Sequence, residues 1–109
     1  MQWINLINVE GLTHLVKESF NRPQLIFKYS ETCSLSEMMK IKLERAKAPG
    51  NVVFHFLDIW KYRPLSNKIA EDFHVHHESP QVLLIINGEC VYDESHMDIR
   101  MDEIVAQAM

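Results

Sequence analysis

Two positions one helical turn apart, Cys33 and Ser36, have the types and spacing for thiol chemistry: a nucleophilic sulfur, then a hydroxyl where a second sulfur could stand. The segment "KYSETCSLSEMM", residues 28–39, puts Cys33 after an apolar run and a short polar loop, just ahead of a helical pattern. At a helix N-terminus the unpaired N–H groups and the macrodipole favour a thiolate, the nucleophile of thiol exchange. Thiols so placed typically have a pKa of roughly 3.5–7.5. Cysteine can equally be a small buried hydrophobe, but Ser30, Glu31 and Thr32 argue for a loop that solvent reaches. Ser36 either hydrogen-bonds the thiolate or is a first-turn serine present for backbone reasons. It cannot attack a mixed disulfide. Any disulfide formed at Cys33 must therefore be resolved by a thiol from elsewhere.

A second signal is Ser79-Pro80, immediately before the apolar run "QVLLII". Proline at the start of an inner strand removes a ladder donor and often marks a cis bond. A cis peptide there would leave the backbone of Ser79 free to pair with an incoming chain. His74, His76 and His77 crowd the preceding loop, but no cysteine or carboxylate nearby has metal-ligand spacing. A loop histidine beside the proline is expected to hydrogen-bond backbone or to face the cysteine. His55, within an apolar run, reads as a satisfied core histidine, and His14 as a surface residue. Lys28 either offers a positive charge near a carboxylate-bearing small thiol or is a solvated strand-end lysine.

These residues need elements to position them. "WINLI" predicts a short strand, and Asn8 a cap for a helix whose apolar face is Val9, Leu12, Leu15, Val16 and Phe20, broken at Arg22-Pro23. "QLIFKY" predicts a strand buried on both faces. A helix from about Ser34 to Ala46 carries Leu35, Met39 and Leu43 at core spacing, and "APGN" stops it. "VVFHFLDI" is the next strand, and Pro64 suits the first turn of a helix burying Leu65, Ile69 and Phe73. "QVLLII" and "ECVYD" flank Asn87-Gly88, a strong hairpin signal. A last helix aligns Met101, Ile104, Val105 and Ala108. The order β-α-β-α-β-α-β-β-α implies an α/β domain with parallel pairing, right-handed crossovers and an antiparallel edge.

With 109 residues, the chain fits one domain, residues 1–109, able to bury a core without staples. Eleven basic against fifteen acidic residues, a formal charge of −4, offer no footprint for nucleic acid. No apolar run of spanning length and no export signal appears, so no membrane partner and a cytoplasmic location are expected. In a reducing cytosol Cys33 and Cys90 stay free thiols unless chemistry involves them. With a two-residue Asn87-Gly88 turn, Cys90 sits opposite Ile85, a packing position.

Taken together, a cysteine opening the second helix and a proline opening the hairpin strand resemble the thioredoxin fold. More narrowly, "LIFKYSETCSLS", "YRPLSNKIAEDFHVHHESPQ" and the "SHMDI" segment, Ser95 to Ile99, resemble the monothiol bacilliredoxin family over nearly the whole length. The resemblance implies a thioredoxin-like mixed sheet of about five strands with flanking helices. It also implies an enzyme that removes a low-molecular-weight thiol, bacillithiol, from mixed disulfides on protein cysteines. Cys33 takes the nucleophile position, assisted by Ser36; Lys28, Thr32, Ser34, His77, Ser79 and Pro80 are expected to meet the substrate. The expected partners are S-thiolated proteins and the small thiol as co-substrate, with no metal or organic cofactor. Where the family commonly has proline after the cysteine, this chain has Ser34, leaving an extra N–H near the sulfur. Dithiol thioredoxins usually carry a buried carboxylate six residues before the cysteine; Phe27 stands there, coherent with having no second thiol to deprotonate. Two other readings are an iron–sulfur carrier of the monothiol glutaredoxin kind and a non-catalytic binding module using the Ser79-Pro80 edge. In such a fold about six residues of extended chain, roughly 20 Å, separate Cys33 from Cys90. That is far beyond the roughly 7 Å between Cα atoms that a disulfide tolerates.

Overall fold

Alternation along two apolar strands sets the architecture. In β2 (Gln24–Tyr29), Leu25 and Phe27 point to one face of the sheet, and Ile26 and Lys28 to the other. In β4 (Gln81–Ile86), Val82 and Leu84 join the first face, Leu83 and Ile85 the second. All eight side chains are fully or almost fully buried. Burying each large apolar one stabilises the fold by roughly 1.5–3 kcal/mol, so two layers of helix must cover the sheet. The computed structural model describes residues 1–109 and provides those layers. The remaining elements are β1 (Trp3–Asn5), α1 (Val9–Glu18), α2 (Ser34–Arg45), β3 (Val53–Asp58), α3 (Arg63–Phe73), β5 (Glu89–Ser95), a 3₁₀ turn at His96–Asp98 and α4 (Met101–Gln107).

The sheet order is β1-β3-β2-β4-β5. β3 is parallel to both β1 and β2, whereas β4 is antiparallel to β2 and to β5. One core joins Leu25, Phe27, Phe54 and Leu84 to Met39 and Leu43 of α2 and to Met101 and Ile104 of α4. The other joins Ile26, Leu57 and Leu83 to Leu12 and Leu15 of α1 and to Leu65 and Ile69 of α3. Five strands in a mixed sheet with flanking helices are thus present as expected.

Local chemistry sets the element ends. The Asn8 side chain accepts from the Gly11 N–H at 2.8 Å, capping α1. Pro64 lies in the first turn of α3. Asn87 and Gly88 both take positive φ, 52° and 78°, the conformation a two-residue hairpin turn requires. Three details differ from the sequence reading. α1 ends at Glu18, before Arg22-Pro23, and Val9 and Phe20 are exposed; Phe20 lies outside the helix, where its ring covers Gly88. β5 carries a bulge: Leu84 pairs with Tyr92 and Ile85 with Cys90, leaving Val91 as the extra residue. Lys28 is not a solvated lysine, because it is fully buried on the α3 side of the sheet. No helix is long and apolar enough to cross a membrane.

Candidate active site

The carboxyl ends of β2 and β3 and the amino end of β4 share one edge of the sheet, since Lys28 pairs with both Leu57 and Gln81. Cys33 lies just beyond that edge as the N-cap of α2, with extended backbone and partial exposure. Its sulfur does not meet the geometry of a full side-chain cap. The Ser36 backbone N–H, which also donates to the Cys33 carbonyl at 3.0 Å, pulls the Cys33 thiol below its ordinary value. Partial burial opposes this, and the Leu35 N–H and the Ser36 hydroxyl add to the lowering. The cause is the helix-start electrostatics anticipated from sequence.

Ser36 is fully buried. Its Oγ accepts from the Ser30 N–H at 3.2 Å and lies 3.5 Å from the Ser79 hydroxyl. That contact brings the cysteine loop against the Ser79-Pro80 peptide, which is cis. Pro80 is buried, and its carbonyl accepts from the His96 N–H at 2.9 Å, so the "SHMDI" segment braces the proline from behind. Thr32 and Ser34 are exposed on either side of Cys33.

Opposite Thr32 stands Trp60, from the loop between β3 and α3. Its indole N–H donates to Ser30 Oγ at 2.8 Å and to Thr32 Oγ1 at 3.0 Å, while the ring stays 54% exposed. Arg63 lies over that ring, 5.1 Å from its centroid. The Arg63 guanidinium also reaches His77 Nε2 at 3.4 Å, and Lys28 Nζ reaches His77 Nδ1 at 3.2 Å. Lys28 Nζ further donates to the Ser66 carbonyl at 3.1 Å. Burial, then the nearby Arg63 charge, depress Lys28 from 10.5 to about 8. Burial and the Lys28 and Arg63 charges likewise lower His77. The α2 flank has the opposite sign. The Tyr29 hydroxyl donates to Glu37 at 2.6 Å, and that bond, with burial and the charges of Glu37, Asp58 and Glu31, pushes the phenol up to about 12.

The structure therefore gathers Cys33, Ser36, Thr32, Ser34, Ser79, Pro80, His77 and Lys28 at one edge of the sheet. Lys28 is there as a buried support for His77, with no exposed surface. The other histidines go elsewhere. His74 ends α3 with φ 56°, and His76 faces Glu78 at 3.6 Å. His55 is buried and pairs with Gln24 at 2.7 Å; burial, with the His14 charge, lowers it to about 4. Cys90 lies at the far end of the sheet, opposite Ile85, which is itself opposite Gln24 at the start of β2. Burial pushes its thiol up to about 11.

The sequence pattern of the monothiol bacilliredoxin BrxC family matches residues 4–104. The chain belongs to that family. Among solved structures, a thioredoxin-fold protein described provisionally as an oxidoreductase is similar at 28% identity, with a TM-score of 0.82 over 97% of this chain and 93% of its own. Thioredoxin from Fasciola hepatica superposes with a TM-score of 0.77 at 20% identity, over 96% of this chain and 98% of its own. The Malassezia sympodialis thioredoxin does so at 0.74 and 12%, over 96% and 86%. These last two likenesses establish the thioredoxin fold. This bacilliredoxin family member is accordingly a thiol-redox protein of thioredoxin fold.

Trp60, Arg63 and Ser66 were not singled out by the sequence reading. A signal was available, because loops at the carboxyl ends of parallel strands share one edge with the ligand crevice. An aromatic and an arginine in the "WKYRP" connection after β3 therefore had to open toward the cysteine loop.

Proposed function

We propose that this protein is a monothiol thiol–disulfide oxidoreductase that removes a low-molecular-weight thiol of the bacillithiol type from protein mixed disulfides through Cys33. One observation carries the reading: a partly exposed cysteine at the start of a twelve-residue helix, its thiol lowered by Ser36, has a buried serine at the resolving position. Such a site supports a first exchange and has no internal thiol for a second.

In the first step the Cys33 thiolate attacks the small-thiol sulfur of the mixed disulfide. The bond between the two substrate sulfurs breaks, and the protein thiolate leaves and takes up a proton. Cys33 then holds the small thiol as a mixed disulfide. A second small-thiol thiolate attacks the small-thiol sulfur of that adduct, regenerating the Cys33 thiolate and releasing the small-thiol disulfide. The protein cysteine is reduced, one free small thiol is oxidised, the small thiol of the original adduct stays in a disulfide, and no other reductant is consumed. Ser36 holds the thiolate in place, and the Leu35 and Ser36 N–H groups stabilise its charge when it is the leaving group. Thr32 and Ser34 border the incoming disulfide on one side, and Ser79 and Pro80 on the other. His77, held by Lys28, lines the α3 flank.

The test is turnover of a bacillithiol mixed disulfide on a peptide, in the presence of excess bacillithiol. Cys90→Ala is expected to retain turnover and Cys33→Ser to have none. Turnover by Cys33→Ser, or a trapped bridge between Cys33 and Cys90 in folded protein, would overturn the mechanism.

A further inference from the structure

Three basic groups, Lys28, Arg63 and His77, meet on the α3 flank of the site, and none of them forms an ion pair: Glu78, the carboxylate that acts on His77, is paired with His76 and His96. Lys28 and Arg63 approach opposite nitrogens of the same imidazole, Lys28 at Nδ1 and Arg63 at Nε2. A neutral imidazole has one lone pair and one N–H. It can accept from one of the two cations, and it then presents its N–H to the other. A protonated imidazole accepts from neither. One cation is thus always short of an acceptor at His77. Lys28 has a second acceptor in the Ser66 carbonyl and is fully buried. Arg63 has no second acceptor, forms no ion pair, and is partly exposed. The group left wanting an anion is therefore the one that solvent reaches.

Its location ties it to the cysteine. The guanidinium lies over Trp60, whose indole N–H is bound to Thr32, the residue before Cys33. On the other side it meets His77, two residues before Ser79. The ring holds the guanidinium at this flank, and the fork of a guanidinium suits two-point recognition of a carboxylate better than a point charge does. The acidic side chains Glu31, Glu37 and Asp58 surround Tyr29 on the α2 side and repel an anion from that direction.

Resting on the function proposed above, we infer that Arg63, lying over Trp60 and backed by His77 and the buried Lys28, is the receptor for a carboxylate on the small-thiol half of the mixed disulfide. The substrate class is then an anionic small thiol. A neutral small thiol of the same size is a poor substrate.

Two measurements on the full chain test this. In the first, peptide mixed disulfides carry either mercaptosuccinate or, as a neutral counterpart, thioglycerol. Wild type is expected to favour the mercaptosuccinate adduct in kcat/KM by on the order of tenfold, the size of a charge-assisted bidentate contact. Arg63→Gln should bring that ratio close to one, and Arg63→Lys should keep part of it. A carboxylate moved to the peptide half should give a ratio that Arg63→Gln leaves alone. An anionic preference undiminished in Arg63→Gln overturns the inference, as does one that follows the peptide half. The second measurement needs no turnover. S-methyl mercaptosuccinate, which has no free thiol, is titrated while the Trp60 indole N–H resonance is followed by NMR. A saturable shift is expected, weakened on the order of tenfold by Arg63→Gln and absent with the corresponding diamide. If that shift appears but no mixed disulfide is turned over, the anion site stands and the oxidoreductase reading falls. If turnover occurs with neither an Arg63-dependent preference nor an Arg63-dependent shift, the inference falls and the oxidoreductase reading stands.

Discussion

Replacing Lys28 by methionine should make the protein more stable at neutral pH and remove a pH dependence that the wild type has. The side chain is fully buried, and its ammonium faces His77, the Ser66 carbonyl and the Arg63 guanidinium, with no carboxylate among its contacts. Burial and Arg63 depress it from 10.5 to about 8. At about 1.36 kcal/mol per pH unit, that depression is a destabilisation of about 3 kcal/mol wherever both folded and unfolded chains carry the proton. Below pH 8 the full amount applies. Between pH 8 and 10.5 the folded state has released the proton while the unfolded state still holds it, so wild-type stability rises with pH. Methionine fills a similar volume without the charge but loses two hydrogen bonds, each worth about 1 kcal/mol net. Lys28→Met should therefore exceed wild type by about 1 kcal/mol at pH 7. That advantage should shrink by about 1.4 kcal/mol per pH unit between pH 8 and 10. Urea unfolding of both proteins, followed by circular dichroism at pH 7, 8, 9 and 10, measures the difference. Titration of Tyr29 and Cys90 is common to both chains and cancels. A difference that stays flat across this range, or widens, would refute the buried unpaired ammonium.

Other expectations follow from the same geometry. Site-resolved alkylation at pH 8 should modify Cys33 about a hundredfold faster than Cys90, because thiolate reacts and Cys90 is pushed up to about 11; equal labelling would contradict the assignment. Ser36→Cys should form an internal disulfide with Cys33 on mild oxidation, detectable by peptide mapping, since the two positions are one helical turn apart. Trp60→Phe keeps a ring under Arg63 but loses the N–H held by Ser30 and Thr32; kcat/KM should fall roughly three- to tenfold, and an unchanged value would mean that the loop holds itself. Gly88→Ala should lower stability by about 1–2 kcal/mol in thermal unfolding. Its φ of 78° disfavours a side chain, and the added Cβ would meet the Phe20 ring at 3.1 Å.

Much of the fold was legible in local patterns. The continuous apolar runs of β2 and β4 announced strands covered on both faces, and Asn87-Gly88 announced the hairpin, because each pattern is written within a few neighbouring residues. Phe20 misled because it continued the helical period past the point where α1 stops. The bulge at Val91 left no mark, since an extra residue in an edge strand leaves the hydrophobic pattern nearly intact.

The sequence alone determined the make-up of the candidate centre: a cysteine between a polar loop and a helix start, a serine three residues on, and a proline opening the fourth strand. Those are relations between near neighbours, and backbone electrostatics act over the same short range. The tertiary structure decided what surrounds that centre. Lys28, Arg63, Ser66 and His77 are separated by up to 49 residues in sequence, and only the crossing of β2, α3 and the loop before β4 brings them together. Side-chain contact depends on which strand face and which helix register meet, and no local pattern records either. The same crossing turned Lys28 from a residue at a strand end into a buried charge, and it made Trp60 and Arg63 part of the wall beside Cys33.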